Sequence, residues 1–146
     1  MKNKGFTLIE LLAVIVILAI IALIATPMIL GVIDTAKRGS AESAALGYVD
    51  AVEKSVMIEQ IKPDSTMKIV AGVEYTVTST GSLTYTADGK TYTVNVDVKG
   101  EKPSTSSTIK FKNTSGEVSE AKLTFTKIHA NQVTYTPSTG AKIANS

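Results

Sequence analysis

The sequence has no cysteine and only one histidine, His129. A chain without cysteine forms no disulfide and offers no thiolate ligand to a metal. A single histidine without partners does not make a zinc site or a catalytic triad, so we interpret His129 as a surface or edge-strand residue. If part of this chain lies outside the cell, it must be held together by packing of its core alone.

Charge is missing from one long segment near the start. The 23 residues between Glu10 and Asp34 carry no charge and are nearly all apolar. A helix of this length spans about 35 Å, and the hydrocarbon core of a bilayer is about 30 Å thick. The run that begins at Phe6 is therefore long enough to cross a membrane. It is too long for an ordinary secretory signal, and no small-residue cleavage pair follows it.

The chain also lacks an excess of basic charge once its first residues are set aside. The formal net charge is +2, but Lys2 and Lys4 precede the apolar run, and residues 6–146 hold 13 basic and 13 acidic side chains. A chain without excess positive charge lacks the basic surface that is typical of nucleic-acid-binding proteins, so we expect no direct contact with nucleic acid.

The helix is predicted to continue beyond the apolar run. Apolar residues recur every three to four positions and define one face: Ala41, Ala45, Tyr48, Val52 and Val56. This pattern is typical of a helix that packs one stripe on a core, and Pro63 ends it near residue 61. Because proline removes a backbone donor, Pro27 and Gly31 predict a kink or loosened turn over residues 26–31. That segment is either a simple bend or one that loses helical structure when neighbours pack.

Alternating Thr, Val and Tyr residues from about residue 66 onward are typical of half-buried strands. Asp88-Gly89 lies between two such runs and predicts a two-residue type I′ hairpin turn. Ser115-Gly116 predicts a second turn, and residues 100–107 a loop. The fold class is thus α+β, with a long N-terminal helix, membrane-spanning and then amphipathic, packed on a C-terminal antiparallel β-sheet. We expect a leader peptide over 1–5, a transmembrane and assembly helix over 6–33, and a globular domain over 34–146.

The stretch Lys4-Gly5-Phe6-Thr7-Leu8-Ile9-Glu10-Leu11-Leu12 resembles the processing motif of type IV prepilins and the related pseudopilins. The order and spacing of five features match the motif: the leader, the Gly-Phe junction, the acid, the apolar run and Pro27. The resemblance extends to about residue 55. It implies that a membrane-embedded prepilin peptidase cuts the Gly5–Phe6 bond and methylates the new amino terminus on Phe6. It also implies a single-pass precursor in the cytoplasmic membrane, with the leader inside, followed by an extracellular pilus.

The acid inside the apolar run, Glu10, needs an explanation, because a charge at membrane depth costs roughly 2.5–3.5 kcal/mol. Cleavage would create a cationic amine on Phe6, and a buried carboxylate is costly unless it is paired. In the family, the acid pairs with the amine of a neighbouring subunit, which would fix axial register. A pair within one chain remains open, since residues four apart on a helix are neighbours.

Two further site types are suggested less specifically. Asn113-Thr114-Ser115 matches a glycosylation sequon, although use of these residues in a turn explains the triplet equally well, and the Ser/Thr-rich loop could carry O-linked sugar. Asp64, Asp88 and Asp97 are scattered and do not form a calcium loop. We therefore expect no metal and no cofactor, and the missing calcium loop weakens assignment as a secretion pseudopilin.

The leading hypothesis is a structural protein rather than an enzyme: the major subunit of a type IV pilus that serves adhesion or motility. Its partners would be other copies of itself in a helical homopolymer, the prepilin peptidase, the pilus assembly machinery and, before assembly, membrane lipid. Gram-negative pilins often close a C-terminal loop by a disulfide, so the lack of cysteine suggests a Gram-positive pilin. The alternatives are a pseudopilin of a type II secretion or DNA-uptake (competence) system, and an anchored surface enzyme or ligand-binding module.

Overall fold

The computed structural model describes residues 5–65 and 67–144. The predicted leader, apart from Gly5, lies outside the described residues. The chain divides into two compact units, the first ending at Ala36 and the second beginning at Lys37. One helix, α1 (Leu8–Gln60), contributes to both, and seven strands follow it in the second unit. The predicted α+β class is confirmed.

The first unit consists of the apolar part of α1. All of its large apolar side chains from Phe6 to Ile33 are exposed. Helical conformation is continuous through Pro27 and Gly31, and the Thr26 hydroxyl donates to the Ala22 carbonyl over 2.6 Å. Back-bonding of this kind often bends helices, and the kink over residues 26–31 stays a prediction.

The second unit contains one antiparallel sheet, with strands in the order β3-β2-β1-β4-β5-β6-β7. The strands are β1 (Glu74–Val77), β2 (Leu83–Ala87), β3 (Lys90–Val94), β4 (Thr108–Phe111), β5 (Val118–Phe125), β6 (His129–Thr136) and β7 (Gly140–Ile143). The sequence pattern does not predict β7, because its four residues lack the alternation of Thr, Val and Tyr.

The predicted turns are confirmed. Asp88 and Gly89 have φ values of 50° and 72°, and positive φ at both central residues defines the type I′ turn between β2 and β3. Gly116, with φ 93°, lies between β4 and β5. Residues 100–107 form part of the irregular connection between β3 and β4.

The core lies between the C-terminal part of α1 and one face of the sheet. The helix buries the predicted stripe together with Val49. The sheet contributes large buried side chains, among them Tyr75, Leu83, Ile109, Phe111, Leu123 and Phe125. The Tyr75 and Phe111 rings pack edge to face, with centroids 5.1 Å apart, which is a preferred aromatic geometry.

Polar side chains of α1 complete this packing by bonding backbone groups of the sheet region. The Glu53 carboxylate accepts from the Val118 N–H over 2.9 Å. The buried Tyr48 hydroxyl donates to the Gly81 carbonyl over 2.8 Å, and burial raises the pKa of Tyr48 well above its ordinary value. These bonds keep polar groups at the border of the core satisfied, which limits the cost of burying them.

Candidate functional site

The start of α1 is organised by a reciprocal pair of residues, Thr7 and Glu10. Oε2 of Glu10 accepts from the Thr7 N–H over 2.8 Å and from the Thr7 hydroxyl over 2.7 Å. The Glu10 N–H in turn donates to the Thr7 hydroxyl oxygen over 3.3 Å. This is a capping box, in which Thr-x-x-Glu spacing satisfies two backbone donors that a helix start leaves without partners.

The capping box gives the acid a partner within its own chain. An anionic side chain in the first turn also interacts favourably with the helix dipole. The Thr-x-x-Glu spacing was visible in the sequence and is the signal by which this role could have been found. Within the described residues, Oε1 of Glu10 accepts no hydrogen bond, and a carboxylate with a free oxygen can accept a second donor.

The predicted scissile bond lies immediately before this cap. Gly5 and Phe6 are not helical, and Phe6 has a relative solvent exposure of 91%. A Cβ placed on Gly5 meets no atom within 4 Å, and its φ is not in the left-handed region. The surrounding structure thus gives no reason for glycine at this position.

The exposed apolar surface that follows is long enough for a membrane. Helix α1 contains a segment that is long and apolar enough to cross a membrane, and none of that segment is buried. Such a surface is unfavourable in water, so it must be covered by lipid or by other protein.

Residues 1–26 match the family model for the prokaryotic N-terminal methylation motif. The chain carries the type IV pilin signal. The matched residues include the predicted leader, the Gly5–Phe6 bond, the capping box and most of the apolar run, and they end immediately before Pro27. The motif and the exposed apolar helix support a membrane-anchored precursor of the pilin-like or pseudopilin-like kind. No curated protein and no solved structure matches it.

The sequon asparagine is engaged in the β4–β5 turn. Asn113 Nδ2 donates to Glu117 Oε2 over 2.9 Å. Its Oδ1 accepts from the Ser115 hydroxyl over 2.7 Å and from the Glu117 N–H over 3.2 Å. These bonds correspond to the turn interpretation of the triplet. A glycan on Nδ2 would have to accommodate or replace the bond to Glu117, and glycosylation stays a prediction.

His129 begins β6 and is half-buried, with Nδ1 accepting from the Asn131 N–H over 3.1 Å. Among the described residues there is no group of three or more potential metal ligands from His, Cys, Asp and Glu.

An open groove of about 550 Å³ lies in the second unit, between α1 and residues 97–101. Two of its charged side chains, Asp50 and Lys54, pair with each other over 2.6 Å. Tyr48 also lines the groove, and its hydroxyl donates to the Gly81 carbonyl. These contacts do not form the convergent polar set by which a ligand-binding module would be recognised.

Proposed function

We propose that this chain is a structural subunit of a type IV pilus, which polymerises through its N-terminal helix and serves surface adhesion or motility. One observation carries the proposal: the methylation motif at residues 1–26 lies on a helix whose large apolar side chains up to Ile33 are all exposed. The motif marks a pilin-type precursor, and the exposed helix is the surface that a polymer would cover.

In this proposal, prepilin peptidase cuts the Gly5–Phe6 bond and methylates the Phe6 amine. The accessible, non-helical backbone at the bond supports cleavage there, since a peptidase must approach the chain closely. Glycine permits that approach because it has no side chain, which accounts for a glycine that the described structure does not otherwise require.

Assembly would transfer the apolar helix from lipid to the filament core. Apolar packing is non-directional, so helices packed only by apolar contacts could slide along one another. Glu10 can set the register, because Oε1 is free to accept from the Phe6 amine of a neighbouring subunit while Oε2 keeps the cap. Glu10 would then serve capping and assembly at once.

Intact-mass analysis of subunits from sheared surface filaments tests processing. We expect loss of residues 1–5 and one added methyl group on Phe6. The matched pair is Gly5→Ala and Gly5→Trp: the small residue should be processed at least partly, and the bulky residue should leave full-length precursor in the membrane. Efficient maturation of Gly5→Trp would contradict the peptidase assignment.

Electron microscopy of the same cells separates the pilus from the pseudopilin alternative. Long surface filaments that contain this chain support a pilus subunit. Short assemblies that do not extend beyond the envelope would favour a pseudopilin of a secretion or DNA-uptake system and would overturn the pilus assignment.

A further inference from the structure

The two edges of the sheet differ in how their backbone groups are satisfied. At the β7 edge, the Ile143 N–H donates to Glu42 Oε1 over 3.1 Å. Just beyond it, Arg38 Nη2 donates to the Ala144 carbonyl over 3.4 Å. Side chains of α1 therefore bond two backbone groups at the end of this edge, and natural proteins often protect sheet edges from pairing with another chain.

The β3 edge is open. The two-residue turn makes Ala87 and Lys90 the hydrogen-bonded pair next to the turn, so the backbone groups of Thr91 and Thr93 point away from β2. Within the described residues, no other element bonds those N–H and C=O groups. The strand contains no proline, and its register with β2 runs over five pairs without a bulge. These are the features of an edge that can accept another strand.

A row of aromatic rings runs across the sheet and stops at this edge. Phe111, Tyr75 and Tyr85 follow one another at centroid distances of 5.1 and 5.2 Å. Tyr92 on β3 stacks on Tyr85 at 6.2 Å with the planes 22° apart. Tyr92 is half-buried and ends the row. On the other side of the strand, Thr91 and Thr93 are exposed.

We propose that β3 pairs antiparallel with β3 of a second copy of this chain, with Tyr92 opposite Tyr92 and Thr91 opposite Thr93. This register uses every outward N–H and C=O group of Thr91 and Thr93, in four hydrogen bonds. Lys90 then faces Val94, so no two like charges lie directly opposite each other. The Tyr92 pair continues the aromatic row across the contact, and aromatic cross-strand pairs stabilise sheets.

The symmetry of this contact determines where it occurs, and this step rests on the proposed pilus function. The same surface is used on both sides, so the contact is isologous and has a two-fold axis. Subunits that point the same way along one helical filament are related by a screw operation and not by a two-fold axis. The β3 contact therefore joins subunits of two neighbouring filaments. A single short contact is weak, but repetition along two filaments sums it, and the result is bundling.

Disulfide trapping tests the contact, because the chain has no cysteine of its own. Residues in a non-hydrogen-bonded antiparallel pair have Cα atoms about 4.5 Å apart, within the range of about 4.4–6.8 Å for disulfides. Oxidised filaments of Tyr92→Cys should give a covalent dimer. The matched control is Thr86→Cys, an exposed position on the neighbouring strand β2, which should remain monomeric. No dimer from Tyr92→Cys, or equal dimer from both variants, would overturn the pairing.

Charged substitutions at Tyr92 give a second test of the contact. The measured quantity is the fraction of filaments that lie in bundles, counted by electron microscopy. Tyr92→Lys and Tyr92→Glu filaments should each lie singly, because like charges meet at the two-fold axis. A mixture of the two should bundle again, at least tenfold above either alone. Single filaments in the mixture, or bundling of each variant at the parent level, would overturn the β3 contact and leave the pilus function intact. A Tyr92→Cys dimer in membranes that never form filaments would instead support the pairing and overturn the proposed pilus.

Discussion

The capping box explains how the start of the apolar helix tolerates the charge of Glu10. The acid lies in the first turn, where Thr7 gives it two hydrogen-bond donors and the helix dipole favours a negative charge. An acid in this position helps the helix to begin just after the predicted scissile bond. The local capping role and the proposed intermolecular role use different oxygens, so neither excludes the other.

The two roles of Glu10 can be separated by substitution. Glu10→Gln keeps an acceptor that can cap the helix but removes the charge that would pair with the Phe6 amine. We expect normal cleavage and membrane insertion and a large loss of filament. Leaving the amine buried and unpaired costs roughly 3–5 kcal/mol, which corresponds to about two to four decades in the assembly equilibrium per subunit. Filament yield is measured after shearing and normalised to mature subunit in the membrane.

Thr7→Val is the matched control for the Glu10 prediction. It removes the cap at a cost of about 0.5–2 kcal/mol and leaves the carboxylate charged, so filament yield should fall far less than in Glu10→Gln. Normal yield from processed Glu10→Gln would show that the charge is not an assembly contact. A fall in yield from Thr7→Val beside a normal yield from Glu10→Gln would show that capping is its whole role.

At the scale of elements, α1 and the sheet region approach each other closely at the β4–β5 turn. A Cβ on Gly116 would lie 2.3 Å from Val56 Cγ1, and the φ of Gly116 is +93°. The position therefore requires glycine for two independent reasons, one conformational and one steric.

Gly116→Ala should destabilise the second unit more than an ordinary glycine replacement does. Overpacking costs about 1–3 kcal/mol, in addition to roughly 1–2 kcal/mol for a left-handed residue that carries a Cβ. Thermal unfolding of the full chain in detergent, followed by circular dichroism, measures the effect. Gly72→Ala is the control, since its φ is +76° but no atom lies within 4 Å of the added Cβ.

The steric part of the Gly116 effect can be tested by a second substitution. Val56→Ala removes the methyl groups that the new Cβ would meet, so it should cost less in the Gly116→Ala background than in the parent. If the stability losses of Val56→Ala and Gly116→Ala are strictly additive, the added Cβ at residue 116 does not clash with the Val56 side chain.

At the scale of the whole molecule, the two units differ in what stabilises them. The buried hydrophobic residues of the core all lie in the second unit, from Ala41 to Ile143. The first unit exposes its large apolar side chains and needs lipid or other protein to cover them. We therefore expect membrane residence and the proposed assembly to depend on the first unit, and independent folding on the second.

A fragment that lacks residues 1–30 should accordingly be soluble and fold by itself. It keeps the whole buried stripe of α1 and all seven strands, so its core is intact. We expect a cooperative thermal transition and a circular dichroism spectrum with both helix and strand. A fragment that stays unfolded at neutral pH would show that the N-terminal apolar helix is required for the core.

Local patterns in the sequence determined much of this fold. The uncharged run, the stripe on α1 and the Asp88-Gly89 turn were predictable, because each signal acts over a few neighbouring residues through hydropathy, helical periodicity or backbone conformation. The capping box belongs to the same class, since Thr7 and Glu10 are three residues apart.

Only the tertiary structure decided the strand order, the presence of β7 and the difference between the two edges of the sheet. Glu42 accepts from the Ile143 N–H across 101 residues of sequence, and Glu53 accepts from the Val118 N–H across 65. Contacts of this kind depend on where the packed core places distant backbone groups, so the local hydropathy pattern of the sequence does not predict them. By itself the sequence predicted the pilin-type motif at the start of the chain and a helix packed on strands. The three-dimensional packing determined which polar groups are satisfied, and among the described residues it left the outward backbone groups of Thr91 and Thr93 without partners.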